Sequence, residues 1–425
     1  MDKTSLNFAQ VFMNCENIVR EAKKTSKPEL LEKLHSLLDL RRSDGLSTKD
    51  AALLLSCLEH PDLRIIIRQK AKELRNKLFQ KNVITMSPLE LTSFCQSQCE
   101  FCSWRSTNKT IPRLRTSFIQ ILKQAINIAE STSTRHIELA GGDDLEMVKS
   151  HLSEYIKNLK KELVSKYSSF RISLCMTPLT SKQYGDLHAN GLDAVLNWQE
   201  TYDYERFHQL IVNGVKKHGL RDDYTVDTKL DGFVFRAEAQ KRIIDNGMQA
   251  GLGVMLGASK NLLADILCTT EHAKHLIQYK DGNLQPLIFG IPTWNNTFGT
   301  QSTENAASLF ASLEETFPAV SAAYLLITPD SYAWPFANCR VSPEIQVKAI
   351  DESCFFTSTE VSLAPGGYLK DEAQKNEYSK IRNHTNNIAD SEQFSHFTYP
   401  HSFYINLFNN HEIKPTNEEN FLKNI

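Results

Sequence analysis

From residue 88 onward, short apolar runs trade places with longer stretches whose apolar residues recur at helical spacing. The runs cover 89–94, 136–140, 170–176, 193–198, 250–256, 286–291, 322–327 and 354–357, each the length of a buried strand. Between them the spacing predicts helices over about 117–130, 145–166 and 204–218, with a short one after Met176. Strict alternation of strand and helix makes successive strands parallel, and eight such units predict a closed (β/α)8 TIM-type barrel. Polar, Gly-rich and Cys-rich segments fall just after the runs, at the strand ends where such barrels carry their chemistry.

The flanks differ. Residues 8–82 read as an N-terminal helical extension, with Phe8, Val11 and Phe12, then Leu30, Leu31, Leu34, Leu37 and Leu38, at helical spacing. Ser47-Thr48-Lys49-Asp50 ahead of Ala51-Ala52-Leu53 makes a helix start. After Tyr368 apolar clusters are sparse until Phe403-Tyr404-Ile405-Asn406-Leu407-Phe408, so the end reads as a polar C-terminal tail, a partly mobile surface extension. The expected division is a helical extension over 1–82, a barrel over 83–370 and a tail over 371–425.

Composition narrows the partners. A chain of 425 residues with 41% hydrophobic residues can bury one barrel with extensions. A net charge of -2 gives no ground for nucleic acid or an anionic membrane as partner, which leaves a small molecule. No stretch approaches the roughly 18 apolar residues of a membrane span, and the polar N-terminus lacks an export signal's apolar segment. Nine cysteines without a secretory segment fit a reduced, cytoplasmic protein.

Three of those thiols stand together in Cys95-Gln96-Ser97-Gln98-Cys99-Glu100-Phe101-Cys102. Thiolates this close repel unless a cation neutralises them, and soft sulfur selects zinc, copper(I) or an iron-sulfur cluster. A structural zinc site or an ordinary cubane takes four ligands, so the loop is one short of either, and one metal is left with an open position. Three plainer readings stand beside it: a zinc knuckle completed by a distant His, a disulfide framework, and chance clustering of core thiols.

The C-x3-C-x2-C spacing with Phe101 before the third Cys resembles the signature of the radical S-adenosylmethionine (SAM) enzymes. That resemblance implies a 4Fe-4S cluster on Cys95, Cys99 and Cys102 with SAM on the fourth iron, and a low-potential electron donor such as flavodoxin or ferredoxin. Gly141-Gly142-Asp143-Asp144, after the second strand, reads by itself as a turn into a helix. It resembles the Gly-Gly-Glu motif that holds the SAM amino group, with Asp143 where Glu is usual. Glu200, after the fourth strand, is either a carboxylate for the SAM ribose or amino group or a helix-start acid. Arg236 either binds the SAM carboxylate or shares an exposed ion-pair stripe with Glu238 and Arg242.

Taken in order, Phe101-Cys102-Ser103-Trp104-Arg105, Gln199-Glu200-Thr201-Tyr202, Arg236-Ala237-Glu238 and the Gly251 to Gly257 run look like the biotin-synthase-related group. The closest branch is the aromatic amino acid lyases: the thiazole-synthesis and hydrogenase-maturation tyrosine lyases and the tryptophan lyase that makes 3-methyl-2-indolic acid. The likeness covers about 50–370 and ends at Ala364-Pro365-Gly366-Gly367-Tyr368. It implies Arg340 as the binder of a substrate carboxylate. No cysteine follows Cys354, so the second cluster of the hydrogenase-maturation lyase, with its carbon monoxide and cyanide chemistry, is not expected. The expected function is a carbon–carbon lyase acting on a small, aromatic amino-acid-like substrate. Sulfur insertion of the biotin-synthase kind and a non-catalytic zinc- or cluster-stabilised barrel are the alternatives. Thr293-Trp294-Asn295 and Thr357-Ser358-Thr359 are candidates for the far wall of the pocket.

Overall fold

The computed structural model describes residues 6–41, 43–295, 297, 309–369, 392–397 and 399–417. Much of the expected mobile tail, 370–391 and 418–425, therefore lies outside the described residues.

The strands are β1 (Asn82–Thr85), β2 (Ser87–Thr92), β3 (Gln98–Cys99), β4 (His136–Gly141), β5 (Arg171–Cys175), β6 (Ala194–Leu196) and β7 (Ile211–Asn213). They continue as β8 (Gly219–Leu220), β9 (Val226–Asp227), β10 (Gln249–Gly253), β11 (Leu287–Gly290), β12 (Ala333–Ala337), β13 (Phe356–Thr357) and β14 (Lys414–Thr416). The main sheet runs β14-β1-β13-β12-β11-β10-β6-β5-β4-β2, every pairing parallel. Only Met86 separates β1 from β2. The first half of this segment pairs with β13, and the Met86 amide donates to the Thr357 carbonyl at 2.9 Å. From Ser87 the second half pairs with β4. Residues 82–92 thus join the last strand of the ring to the second, and the sheet curls into the expected (β/α)8 barrel, with β14 added alongside β1.

Helix Phe118–Thr132 starts on a reciprocal cap, Ser117 with Gln120, and buries Ile121, Ala125 and Ile128. Helix Pro61–Phe79 covers the barrel beside Leu313–Ile327 and Pro343–Glu352, clamped by Arg68 forked onto Glu352 and by Lys72 and Lys81 sharing Asp351. Helix Phe8–Ala22 sets Phe8 against Tyr202 and His272, whose own hydroxyl-to-ring bond is 2.7 Å. The helical extension therefore presses on the chain just after Glu200.

Seven of the eight apolar runs become strands. The exception, 322–327, closes helix Leu313–Ile327, which is buried nearly throughout. An apolar run buried on every side has no polar face to reveal its period, so strand and helix look alike there. The seventh barrel strand is β12, whose Pro335 argues against a central strand. Its carbonyl still accepts the Phe355 amide at 2.9 Å. The helix expected over 204–218 also stops early, at Leu210, and Ile211–Asn213 turns extended to pair antiparallel with β3. Gly214 permits this. Its φ is 93°, and a Cβ there would meet the Gln96 carbonyl at 2.0 Å.

Candidate active site

The cysteine loop follows β2 at the barrel mouth and is held from three sides. Pairing of β3 with β7 fixes its middle, and the Glu100 amide donates to the Leu210 carbonyl at 3.0 Å. Behind it the Arg113 guanidinium donates to four carbonyls, Ser93, Trp104, Arg105 and Asn108, at 2.6–2.9 Å. On the third side it is zipped to the turn after β4: the Asp143 amide donates to Cys95 Sγ at 3.4 Å and the Gln96 amide to the Asp143 carbonyl at 3.1 Å. Gly142 makes the approach possible, since a Cβ there would lie 2.3 Å from the Phe94 carbonyl oxygen and 2.8 Å from Cys95 Cβ.

All ten residues singled out from sequence line one cavity: Cys95, Cys99, Phe101, Cys102, Gly141, Gly142, Asp143, Glu200, Arg236 and Arg340. Cys95 Sγ also accepts the Ser97 amide at 3.4 Å, and Cys102 Sγ accepts the Gln393 side-chain amide at 3.6 Å. Donors aimed at sulfur suit thiolate ligands of a cluster. Burial pushes all three thiols up, so without bound cations they stay protonated. Among the described residues no three His, Cys, Asp or Glu side chains converge on one metal ion.

Glu200 is buried with φ 71°, a left-handed conformation that costs about 1–3 kcal/mol in a non-glycine residue. Its backbone is held to the next strand by the Met255 amide at 2.8 Å. Its carboxylate meets Lys216 at 2.5 Å, with Arg236 at 3.8 Å. Burial alone would raise Glu200, but Lys216 and then Arg236 hold it below the usual carboxylate range. Arg236 also donates to the Trp198 carbonyl, and the half-buried Arg242 donates to the Leu179 and Phe235 carbonyls. The exposed stripe considered for these arginines does not form.

Arg340 donates to the Thr293 carbonyl at 2.9 Å and stacks on Phe394, 3.3 Å from the ring centre. Trp294 packs edge-on against Phe101 instead of lining the cavity, while Ser358 does line it.

Several cavity residues escaped the sequence reading. Lys216 carries its charge from the turn after β7, with its backbone amide on Ser97 Oγ at 2.8 Å and its ammonium 5.1 Å from the Phe101 ring centre. Its partners are far away in sequence, so no local pattern marks it. Gln393 and Phe394 belong to the tail, part of which lies at the site: Ser103 donates to the Gln393 carbonyl, Asn295 to Ser395 and Phe397 to Cys339. Glu90 and Glu138 did leave a signal, each a lone carboxylate inside an apolar run.

No family model matches the chain. It is 26% identical to the 2-iminoacetate synthase of Escherichia coli K12 over 214 residues, 50% of this chain and 51% of that protein. It is 24% identical to the [FeFe] hydrogenase maturase subunit HydE of Thermotoga maritima over 206 residues, 48% of this chain and 52% of that protein. Each match spans about half the length of the curated relative. The fold is that of the hydrogenase maturase HydG from Carboxydothermus hydrogenoformans, with TM-score 0.77, 18% identity, and 96% of this chain and 84% of that one covered. Methylornithine synthase, PylB, matches with TM-score 0.66, 15% identity, and 92% and 100% covered. The curated relatives are enzymes of the group that the motifs resemble, and the solved structures share the barrel fold. Within that group the relatives are 2-iminoacetate synthase and the hydrogenase maturases, the branch to which the sequence pointed.

Proposed function

We propose that the protein is a radical SAM lyase, which abstracts hydrogen from a small amino-acid-like substrate and thereby brings about carbon–carbon bond cleavage. The observation that carries this reading is the pair of hydrogen bonds tying Cys95 and Gln96 to Asp143, which sets a three-thiol loop and a Gly-Gly-Asp turn on one wall of one cavity. Cys95, Cys99 and Cys102 would hold the 4Fe-4S cluster, with Phe101 packed beside it. With SAM bound, such a cluster would supply the one-electron reduction that splits SAM to methionine and a hydrogen-abstracting 5'-deoxyadenosyl radical.

The chain's own residues bind and orient. Carbonyls of Gly141, Gly142 and Asp143 would accept the SAM ammonium, the Arg236 fork would suit its carboxylate, and Glu200 would accept the ribose hydroxyls. Arg340 takes the substrate carboxylate. Burial of Cys99, Cys102, Glu200 and Arg236 would keep water from a reactive radical. A flavodoxin or ferredoxin is the expected electron donor.

Anaerobic reconstitution tests the reading. Brown protein that cleaves SAM to 5'-deoxyadenosine on reduction is the expected result, and Cys99→Ala should abolish cleavage while circular dichroism stays native. Colourless protein with one tightly held zinc, or wild-type cleavage by Cys99→Ala, would refute it.

A further inference from the structure

The cavity carries charge that the proposed function leaves without a task. Glu90 on β2 and Glu138 on β4 both line it, from adjacent parallel strands. The register sets Glu138 opposite Pro88 and Glu90 opposite Ala140, so the two carboxylates are one inward-facing step apart. They are 2% and 8% exposed. Among the described residues Glu90 Oε2 has no hydrogen-bond partner, and neither has the Ser358 hydroxyl, which lines the same cavity.

The pair is not neutralised by a direct contact. Among the described residues no Lys, Arg or His makes an ion pair with either carboxylate. Lys216 and Arg236 serve Glu200, and Arg340, which acts on both carboxylates through space, points its guanidinium at the Thr293 carbonyl and Phe394. Burial, and for Glu90 the neighbouring Glu138, push the two groups up to about 8 and about 7. A buried carboxyl pair with an open oxygen is costly until a cation with N–H donors meets it.

We propose that Glu90 and Glu138, with Ser358, form a subsite for a primary ammonium group of the substrate, in the same cavity in which Arg340 takes its carboxylate. This rests on the reading of the cavity as a substrate site. The SAM ammonium already has the Gly141–Asp143 turn. An ammonium suits the pair better than a phenol or an indole N–H: it brings three donors and a positive charge that favours both carboxylates, whereas a neutral group brings one donor and no charge. The substrate class is therefore a primary amine bearing a carboxylate. The amine has two possible sources, the α-ammonium of an aromatic amino acid or the side-chain ammonium of a lysine-like one.

The test is binding, by calorimetry on the anaerobically reconstituted protein with SAM. L-Tyrosine is compared with 3-(4-hydroxyphenyl)propanoate, L-tryptophan with indole-3-propanoate, and L-lysine with norleucine. At least one amine should bind about tenfold or more tighter than its partner lacking that amine. Preference for lysine over norleucine assigns the side-chain amine, and preference within the aromatic pairs assigns the α-amine. Glu90→Gln and Glu138→Gln, near-isosteric so that the barrel keeps its packing, should remove most of the difference. No amine preference in any pair, or a preference intact in both variants, overturns the proposal. 5'-Deoxyadenosine formation in the same preparation separates the two readings. Cleavage without amine preference sinks the subsite alone, and amine preference without cleavage sinks the radical reading alone.

Discussion

Gln393 donates its side-chain amide to Cys102 Sγ at 3.6 Å, across 291 residues of sequence. The main chain reinforces the contact, since the Ser103 amide donates to the Gln393 carbonyl at 3.0 Å. A segment from the polar tail therefore sits on the third cysteine of the loop and contributes a donor to its sulfur.

Such a donor stabilises the more negative, reduced state of a cluster. Replacing Gln393 by Leu should lower the reduction potential by about 40 mV, the equivalent of ~1 kcal/mol for one hydrogen bond in a one-electron couple. Redox titration followed by electron paramagnetic resonance measures it. An unchanged potential would mean that the amide does not reach the sulfur in the loaded enzyme.

Arg340 sits over the Phe394 ring, which holds the guanidinium in place while Thr293 occupies only part of its donor fork. Arg340→Lys keeps the charge and loses the fork, so KM should rise about tenfold, and Arg340→Ala should raise it on the order of 100-fold. Uncoupled SAM cleavage without substrate should fall much less. Equal losses in both measurements would contradict a role in holding the substrate carboxylate.

Lys216 ties three parts of the site together: Glu200 at 2.5 Å, the Phe101 ring, and the cysteine loop through Ser97. Lys216→Met leaves Glu200 buried with only Arg236 at 3.8 Å. Breaking a buried pair from one side costs about 3–5 kcal/mol, and the remaining guanidinium should keep the loss near the lower end. The Lys216→Met/Glu200→Gln double variant should recover part of that loss, because the orphaned charge is gone. Urea unfolding followed by tryptophan fluorescence compares the three proteins, and a double variant less stable than Lys216→Met would exclude the ion pair as the cause.

What was legible in the sequence follows from where each signal lives. Cys95, Cys99 and Cys102 sit within eight residues, and the Gly141-Gly142-Asp143 turn is contiguous, so their spacing alone announced them. Seven strands showed as apolar runs because helices separate them by polar faces. The 322–327 run misled because helix Leu313–Ile327 has almost no exposed face from which a period could be read. The bend at Leu210 depends on a partner strand, Gln98–Cys99, that is more than a hundred residues away. Lys216 and Gln393 gain their places the same way, through tertiary contact alone. Glu90 and Glu138 were visible as carboxylates in Leu89-Glu90-Leu91 and Ile137-Glu138-Leu139. Carboxylates are almost never fully buried without a partner, so an acid flanked by apolar residues in a barrel strand marks a polar task inside the barrel.

Asp144, beside the turn that meets Cys95, joins three elements. It accepts Thr92 Oγ1 at 2.8 Å and both prongs of Arg115 at 2.6 and 2.8 Å, and it caps the helix that follows by accepting the Met147 amide. Burial pushes its carboxyl upward, but Arg115 and Thr92 outweigh this and hold it below the ordinary range. A depressed folded-state value means that the carboxylate stabilises the fold above its unfolded pKa of about 3.9 and ceases to do so as pH falls through the lower folded value. Asp144→Asn should therefore cost about 1.5–3 kcal/mol near neutral pH, the range for hydrogen bonds to a charged group. The gap between wild type and variant should be constant above about pH 5 and close progressively below pH 4. Urea midpoints measured across pH 3–7 check this, and a gap that instead widens toward low pH would show that the side chain does not act as a carboxylate.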